Sequence, residues 1–292
     1  MKILLVGESG QLGSSLLSLE SNHHWIAPSR DELDIESTTS CKQALIKYKP
    51  DVLINTAAFH NLPMCEQKPD RAFAVNCIAV RNLAKLCNEL SVVLVTFSSD
   101  YVFDGTSSQA YIEEDKTAPI QIYGISRLAG ENAALAVAPE NTIVIRTAGL
   151  YGSQGAFSKG GNFVDHRIND ATNLDTFEMG CDQTVSPTSA LDLARAIIKL
   201  IEHPDHGYGI YHLVNEGQCS WYEFTCAIVD FMGLNTEVKP VDRGGVSGEM
   251  RRPLYSVLAN TRGKKLGIIL PHWKQALREY IDQKYLNSEN SE

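Results

Sequence analysis

Nowhere in the chain do about eighteen apolar residues follow one another, the length at which a run becomes a candidate membrane span, so no spanning helix is expected. The opening "MKILLVGESG" carries one lysine before a short apolar run that stops at glycine and glutamate, far from a signal-peptide core. Basic residues are outnumbered, 26 against 35 acidic, and form no extended run; at a net charge of −9 a nucleic-acid surface is not expected. The seven cysteines are odd in number, widely scattered and include no CxxC pair, which argues against a disulfide framework or thiolate metal centre and for reduced thiols in the cytoplasm. His203 and His206 in "EHPDHG" form a close histidine pair, but no carboxylate or cysteine follows at ligand spacing, so a solvated turn is expected there. No internal repeat or low-complexity tract interrupts the chain, and the polar ending "NSENSE" is expected to fray.

What is present is apolar material, 43% of 292 residues, enough for one dominant core beside a smaller one. Short β-rich runs alternate with longer helical patterns: "KILLV" then "QLGSSLLSLE", "HHWIAPS" then "TTSCKQALIKY", "DVLIN" then "RAFAVNCIAVRNLAKLCNEL", "SVVLVTF" then "IQIYGISRLAGENAALAVA", and "TIVIRT". Near-continuous apolar strands separated by amphipathic helices predict a parallel sheet covered on both faces, a doubly wound α/β domain of Rossmann type.

After about residue 148 the rhythm changes. The glycine-rich "YGSQGAFSKGGNF" precedes a helix, a polar strand and the helix "TSALDLARAIIKLIEH"; then come "GIYHLV", "SWYEFTCAIVDFMG", "TEVKPV" and a last helix from "PHWKQALREYIDQKYL". These pieces are too few for a second Rossmann unit. They predict a smaller α/β substrate lobe over 149–292, with parts of 181–210 and 246–262 joining the dinucleotide-binding domain of 1–148.

Gly7, Gly10 and Gly13 form GxxGxxG between the first strand and the first helix. Glycine suits a turn that must be tight, lie close to a pyrophosphate and let helix pack on strand, and the helix N-terminus adds amide donors. The second strand leads into "PSRDELD", with Ser29 and Arg30 first. A guanidinium can pair with a 2′-phosphate, so NADPH is expected; Asp31, next in line, keeps NADH as the alternative.

Chemistry in an open α/β sheet gathers at the carboxyl ends of the strands. "SSDYVFDG" follows the fourth strand, so Ser98, Ser99 and Asp100 emerge there, and Tyr123 and Arg127 share a face of the next helix at i and i+4. Serine can hydrogen-bond a carbonyl and tyrosine can donate the proton, although a phenol of pKa ~10 is poorly matched to neutral pH. A cation about 4 Å away at an effective dielectric near 20 is worth ~4 kcal/mol, enough to bring the phenol into a useful range.

Together these motifs resemble the extended short-chain dehydrogenase/reductase family and, within it, the dTDP-4-dehydrorhamnose reductases. The likeness runs over nearly the whole chain, through "GESGQLG", "LDIE", "INTAAFH", "FAVNCIAVRNLA", "SSDYVFDG", "YGISRLAGE", "KGGNFV", "DQTVSPTSALDLA", "GIYHLVNEG", "SWYEF", "RRPLYSV" and "LPHWKQAL". The resemblance implies that Ser99 stands for the family's threonine, that Tyr123 is the acid, and that Arg127 occupies the family's lysine position. It further implies that Gly10, Gln11, Leu12, Asp34, Ile35, Ala57, Ala58 and Phe59 line the dinucleotide, and that Ser99, Asp100, Gly149 and Asn162 face a nucleotide-sugar substrate.

Three positions depart from the pattern. Arg127 replaces lysine; as a permanent cation with five donors it can still hold ribose hydroxyls and bias Tyr123, but it cannot relay a proton. Gly149 stands where many members carry a tryptophan beside the sugar. Ser15 stands where some carry an acidic residue associated with a magnesium-bridged dimer, which argues against a required metal, and a homodimer stays open. The function implied is reduction of the 4-keto group of dTDP-4-dehydro-β-L-rhamnose. Two alternatives stay open: a non-catalytic dinucleotide-binding subunit, since the regulatory subunit of methionine adenosyltransferase resembles this subfamily, and a reductase of another nucleotide-linked keto-sugar.

Overall fold

A computed structural model describes residues 1–153, 161–247 and 250–286. Most of the glycine-rich stretch, residues 154–160, and the tail expected to fray, residues 287–292, lie outside the described residues.

The first half lays down β1 (Lys2–Val6), α1 (Gln11–Ser18), β2 (His24–Ile26), α2 (Thr38–Tyr48) and β3 (Val52–Asn55). Short helices α3 (Leu62–Gln67) and α4 (Pro69–Phe73) run through a π-helical turn, Ala74–Ala79, into α5 (Val80–Glu89). Then follow β4 (Val93–Ser99), a 3₁₀ turn (Asp100–Val102), α6 (Ile122–Val137) and β5 (Thr142–Thr147). Beyond them lie β6 (Leu150–Tyr151), α7 (Phe163–Asn173), β7 (Thr176–Gly180), β8 (Thr184–Val185), β9 (Thr188–Ser189), α8 (Ala190–Glu202) and β10 (Gly209–His212). The chain ends through β11 (Cys219–Ser220), α9 (Trp221–Phe231), β12 (Glu237–Val241), β13 (Val246–Ser247), β14 (Met250–Arg251), α10 (Arg262–Lys265), α11 (Trp273–Ile281) and a π turn, Asp282–Leu286.

Six parallel strands form the main sheet in the order β10-β5-β4-β3-β1-β2. Alternation along each strand splits the apolar side chains between two layers. Ile3, Leu5, Ile54, Val95, Ile143 and Ile145 pack with α1 and α8, through Leu12, Leu16, Leu193 and Ile197. Leu4, Leu53 and Leu94 pack with α2, α5 and α6, through Leu45, Leu83 and Ala134. Both faces are thereby covered, as the unbroken apolar strands require. The order reverses between β1 and β3, and the crevice outside their carboxyl ends is where such sheets take a ligand.

β10 reaches the main sheet from beyond residue 148 and pairs with β5 from Gly209↔Ile143 to His212↔Arg146. A separate apolar centre lies in the later segments, where Tyr151, Val164, Phe224, Ile228, Trp273 and Leu277 are buried together. β12 pairs with β7 in parallel beside it.

Two elements differ from their sequence pattern. β2 is only three residues long, because Pro28 and the turn that closes with Glu32 accepting from the Ser29 amide end it early. The helix expected across 71–90 carries the π turn at 74–79, with Asn76 inside it turned toward the loop after β3. No described helix is long and apolar enough to cross a membrane.

Candidate active site

The turn between β1 and α1 is built as its glycines suggest. Gly7 has φ +86°, in the left-handed region, and a side chain there would meet Thr56 and the Ala57 amide. At Gly13 a Cβ would run into the Gly7 carbonyl, so only glycine lets α1 sit this close to the strand end. Gly10 is the residue before α1, in extended conformation, and has no side chain to cover the helix N-terminus. The Oε1 atom of Gln11 is buried with no hydrogen-bond partner among the described residues. An anion-accepting helix start and a tight turn together fit a bound pyrophosphate, while the unpaired Gln11 oxygen is an acceptor suited to a hydroxyl or amide donor.

The adjoining loops are fixed by their own side chains. Ala57 donates its amide to Asn55 Oδ1 at 3.2 Å. Phe59 is held through both backbone groups by Asn76, its N–H donating to Oδ1 and its carbonyl accepting from Nδ2, each at 2.9 Å. That grip explains the π turn, which rotates Asn76 to reach the loop. Ala58 lies between these anchored residues. Past β2, Asp34 Oδ1 accepts from the Glu36 amide at 3.0 Å, and Ile35 is buried against the sheet. Arg30 lies farther out, with its side chain 80% exposed and Nη2 3.6 Å from Glu36, a carboxylate already gripped by Arg71 at 2.6 and 2.9 Å. The Arg30 guanidinium is therefore only loosely engaged.

On the reactive side, β4 delivers Ser98 and Ser99 as its last two residues and Asp100 opens the following turn. α6 begins at Ile122, with Gln121 accepting from the Gly124 amide at 2.8 Å as its N-cap, so Tyr123 stands in the first turn. Gly124 and Gly130 allow α6 to press directly on neighbouring backbone, the first on the Tyr101 carbonyl and the second on that of Asn76. Ser126 accepts from Asn76 Nδ2 at 3.0 Å, tying the helix to the cofactor-side loop. Tyr123 is buried among Cys65, Phe59 and Tyr101, meeting the Tyr101 ring edge-on at 6.0 Å between centroids.

Arg127 is buried to 7% exposure. Its Cζ lies 5.2 Å from the Tyr123 ring centroid, and Nη1 donates to the Phe97 carbonyl of β4 at 3.2 Å. Its Nε has no hydrogen-bond partner among the described residues. A buried guanidinium with a spare donor fits an acceptor such as a ribose hydroxyl.

Asp100 is almost wholly buried, and each of its oxygens accepts a serine hydroxyl: Ser99 at 2.7 Å on Oδ1 and Ser256 at 2.6 Å on Oδ2. Burial pushes its carboxyl up to about 6, against the pull of the two hydroxyls. Tyr101 is raised above the usual phenol range by burial, with Arg252 close enough to oppose the shift.

The remaining expected positions lie toward the later segments. Gly149 has φ +53°, and a side chain on it would meet Pro187 and the Trp221 ring, 3.3 Å away at Cη2. The indole of Trp221, tilted against Phe163 with centroids 4.5 Å apart, thus lies against the Gly149 face. Asn162 is buried as the N-cap of α7; its Nδ2 donates to the Gly152 carbonyl and to the Tyr280 hydroxyl at 2.7 and 2.8 Å. Its side chain anchors backbone at the edge of the site. Ser15 donates its hydroxyl back to the Gln11 carbonyl within α1. His203 and His206 lie in a turn closed by the His206 amide on the His203 carbonyl. No group of three or more His, Cys, Asp or Glu side chains suited to a metal occurs among the described residues.

Sequence reasoning missed Asn76, Gln121, Arg252 and Ser256. Only Asn76 left a trace, as a polar residue amid the apolar run "FAVNCIAV". Arg252 and Ser256 reach the site through contacts distant in sequence, and Gln121 acts locally as the cap of α6.

Comparison with known proteins adds an independent line. A family described as RmlD substrate binding domain matches residues 1–286. The chain is 36% identical to the spore coat polysaccharide biosynthesis protein SpsK of Bacillus subtilis (strain 168), over 97% of this chain and 98% of that protein. It is similar to the crystal structure of a dTDP-4-dehydrorhamnose reductase from Clostridium acetobutylicum ATCC 824, with TM-score 0.90 and 36% identity over 97% of this chain and 99% of that one. A dTDP-4-dehydrorhamnose reductase from Bacillus anthracis str. Ames, solved in complex with NADP, has TM-score 0.90 and 30% identity over 97% of this chain and 99% of that one.

Proposed function

Since this chain belongs to the dTDP-4-dehydrorhamnose reductase family, we propose that it reduces the 4-keto group of dTDP-4-dehydro-β-L-rhamnose to give dTDP-β-L-rhamnose, using NADPH. The observation that carries the reading is the Arg127 guanidinium lying over the Tyr123 ring while donating to Phe97 of β4, the strand that ends in Ser99, with β3 between β4 and the strand of the glycine turn.

NADPH supplies the hydride when bound. Gly7, Gly10, Gly13, Gln11 and Leu12 at the start of α1 are the residues assigned to its pyrophosphate, and Asp34, Ile35, Ala57, Ala58 and Phe59 to the flanking wall. Arg30 is assigned to the 2′-phosphate, supported by its exposure and its weak pairing with Glu36. Arg127 is assigned to the ribose hydroxyls, supported by its unpaired Nε.

On the substrate side, the Ser99 hydroxyl hydrogen-bonds the ketone oxygen, and Tyr123 gives that oxygen a proton as C4 gains its hydrogen. The Arg127 cation above the Tyr123 ring favours the phenolate left behind. Gly149, with Trp221 against it, and Asp100 border the sugar, while Asn162 holds the backbone beside it. A positioned phenol and hydroxyl serve no purpose in a module that only binds dinucleotide, which favours the enzyme.

The test is to supply dTDP-4-dehydro-β-L-rhamnose with NADPH and follow loss of reduced-nicotinamide absorbance. Turnover supports the reading. Tight dinucleotide binding with no turnover of any 4-keto nucleotide sugar would transfer the lead to a non-catalytic subunit.

A further inference from the structure

The contact between Ser256 and Asp100 joins residues 156 apart in sequence, and neither the family reading nor the sequence motifs give Ser256 any task. Its segment is fixed from several sides. The Ser256 amide donates to the Thr184 carbonyl at 2.9 Å, and the Tyr255 amide to the Gly105 carbonyl at 3.2 Å. Gly105, at φ +80°, lies so close to Pro253 that a side chain there would clash with it. The Ser256 hydroxyl is therefore delivered to Asp100 by a rigid strap, 1% exposed and away from solvent.

A hydroxyl has one hydrogen. Ser99 Oγ accepts from the Tyr101 amide at 3.2 Å and donates to Asp100 Oδ1 at 2.7 Å, so its hydrogen is committed to the carboxylate. An ionised carboxylate only accepts, whereas a protonated one has a hydrogen to give. When Asp100 carries a proton on Oδ1, it donates to Ser99 Oγ, and the Ser99 hydrogen is released to turn toward a ketone oxygen. Ser256 continues to donate to Oδ2 and keeps the carboxyl plane from rotating.

We propose that Ser256 is a positioning residue for the reduction: by holding one oxygen of Asp100 it presents the other to Ser99, and so governs when the Ser99 hydroxyl can serve the substrate carbonyl. This rests on the reading of Ser99 as the carbonyl's hydrogen-bond donor. Tyr101, next to Asp100 on the same turn, is the ionisable group beside it, and Tyr101 in turn has Arg252, on the strap beside Ser256, and Tyr123, on α6, close by. The two serine hydroxyls, ahead of backbone hydrogen bonds from Asp100 and Tyr101, oppose the effect of burial on Asp100, so removing one raises its proton affinity further.

The test uses the full chain with carboxyl-¹³C aspartate, the Asp100 signal being assigned by its loss in Asp100→Asn. Its titration and the pH profile of kcat are then compared in wild type, Ser256→Ala and Ser256→Thr. In Ser256→Ala the Asp100 midpoint is expected to move up by about one pH unit, the worth of one hydrogen bond to a charged group. The alkaline limb of kcat should move with it, KM should change by less than about twofold, and Ser256→Thr should restore both. Asp100→Asn should lack that limb. Should Ser256→Ala not fold, Ser256→Cys, a weaker donor of similar size, is read in its place. A wild type that turns over, with a Ser256→Ala profile merely scaled down at every pH, overturns the proposal alone. A wild type that turns over no keto-sugar overturns the reductase reading and the proposal with it, whatever the titration does.

Discussion

The guanidinium of Arg127 lies 5.2 Å from the centre of the Tyr123 ring while also donating to the Phe97 carbonyl at 3.2 Å. One cation thus bridges the helix that carries the phenol and the strand that carries the serine. The arrangement keeps a permanent charge at the reacting edge without a titratable amine.

Tyr123→Phe removes the hydroxyl and keeps the ring that packs on Tyr101 and Cys65. A loss of ~10²–10⁴ in kcat is expected, the usual worth of general acid catalysis, with dinucleotide affinity nearly unchanged. Steady-state kinetics beside a binding titration separate the two effects. Near-wild-type turnover would remove Tyr123 from the role of acid.

Arg127→Lys should preserve cofactor binding and leave activity equal or higher, since lysine keeps the charge in a smaller head. Arg127→Met should weaken dinucleotide binding and slow hydride transfer, losing up to the ~4 kcal/mol that a nearby cation is worth. Single-turnover measurements on the three proteins distinguish chemistry from binding. Hydride transfer in Arg127→Met as fast as in wild type would leave the cation without a catalytic part.

Arg30→Ala should raise KM for NADPH and hardly change KM for NADH, because only NADPH carries the 2′-phosphate. The exposed guanidinium has little structural work to lose, so melting temperature should stay constant. Equal effects on both cofactors would contradict the phosphate contact.

Asp100 also marks the dependence of stability on pH. Burial lifts its folded carboxyl to about 6 from an ordinary 3.8, so the folded state holds the proton more tightly than the unfolded one. Stability from this group is fully present below the unfolded value and is lost as pH rises through about 6, by roughly 3 kcal/mol at ~1.36 kcal/mol per unit. Asp100→Asn, which cannot ionise, should gain stability relative to wild type between pH 4 and pH 8 by an amount of that order. Denaturant melts at the two pH values check it; a difference independent of pH would show that Asp100 does not titrate in this window.

Much of the fold is legible in the sequence because its signals are local. Apolar strands such as "KILLV" and amphipathic helices such as "TTSCKQALIKY" give the layers, and Gly7 and Gly13 give the turn, since only glycine tolerates those backbone positions. Tyr123 and Arg127 share a helix face by spacing alone. What is not legible depends on distant partners. "GIYHLV" reads the same whichever sheet it joins, and only the pairing with β5 places β10 on the main one. The π turn at 74–79 is set by Asn76 gripping Phe59, and Ser256 becomes visible only when the strap at 253–256 meets Asp100. Gly124 and Gly130 stand in plain view in "YGISRLAGE", but their purpose needs the Tyr101 and Asn76 backbones beside them.

The most direct measurement follows a labelled hydrogen. NADPH carrying deuterium at the transferring position of the nicotinamide C4 is incubated with the protein and dTDP-4-dehydro-β-L-rhamnose, and the sugar is read by mass spectrometry and NMR. The expected result is one deuterium on C4 of dTDP-β-L-rhamnose, formed one for one with NADP⁺, and lost almost wholly in Tyr123→Phe. Recovery of the unlabelled keto-sugar, with the dinucleotide bound but unoxidised, would contradict a reductase built on Ser99, Tyr123 and Arg127.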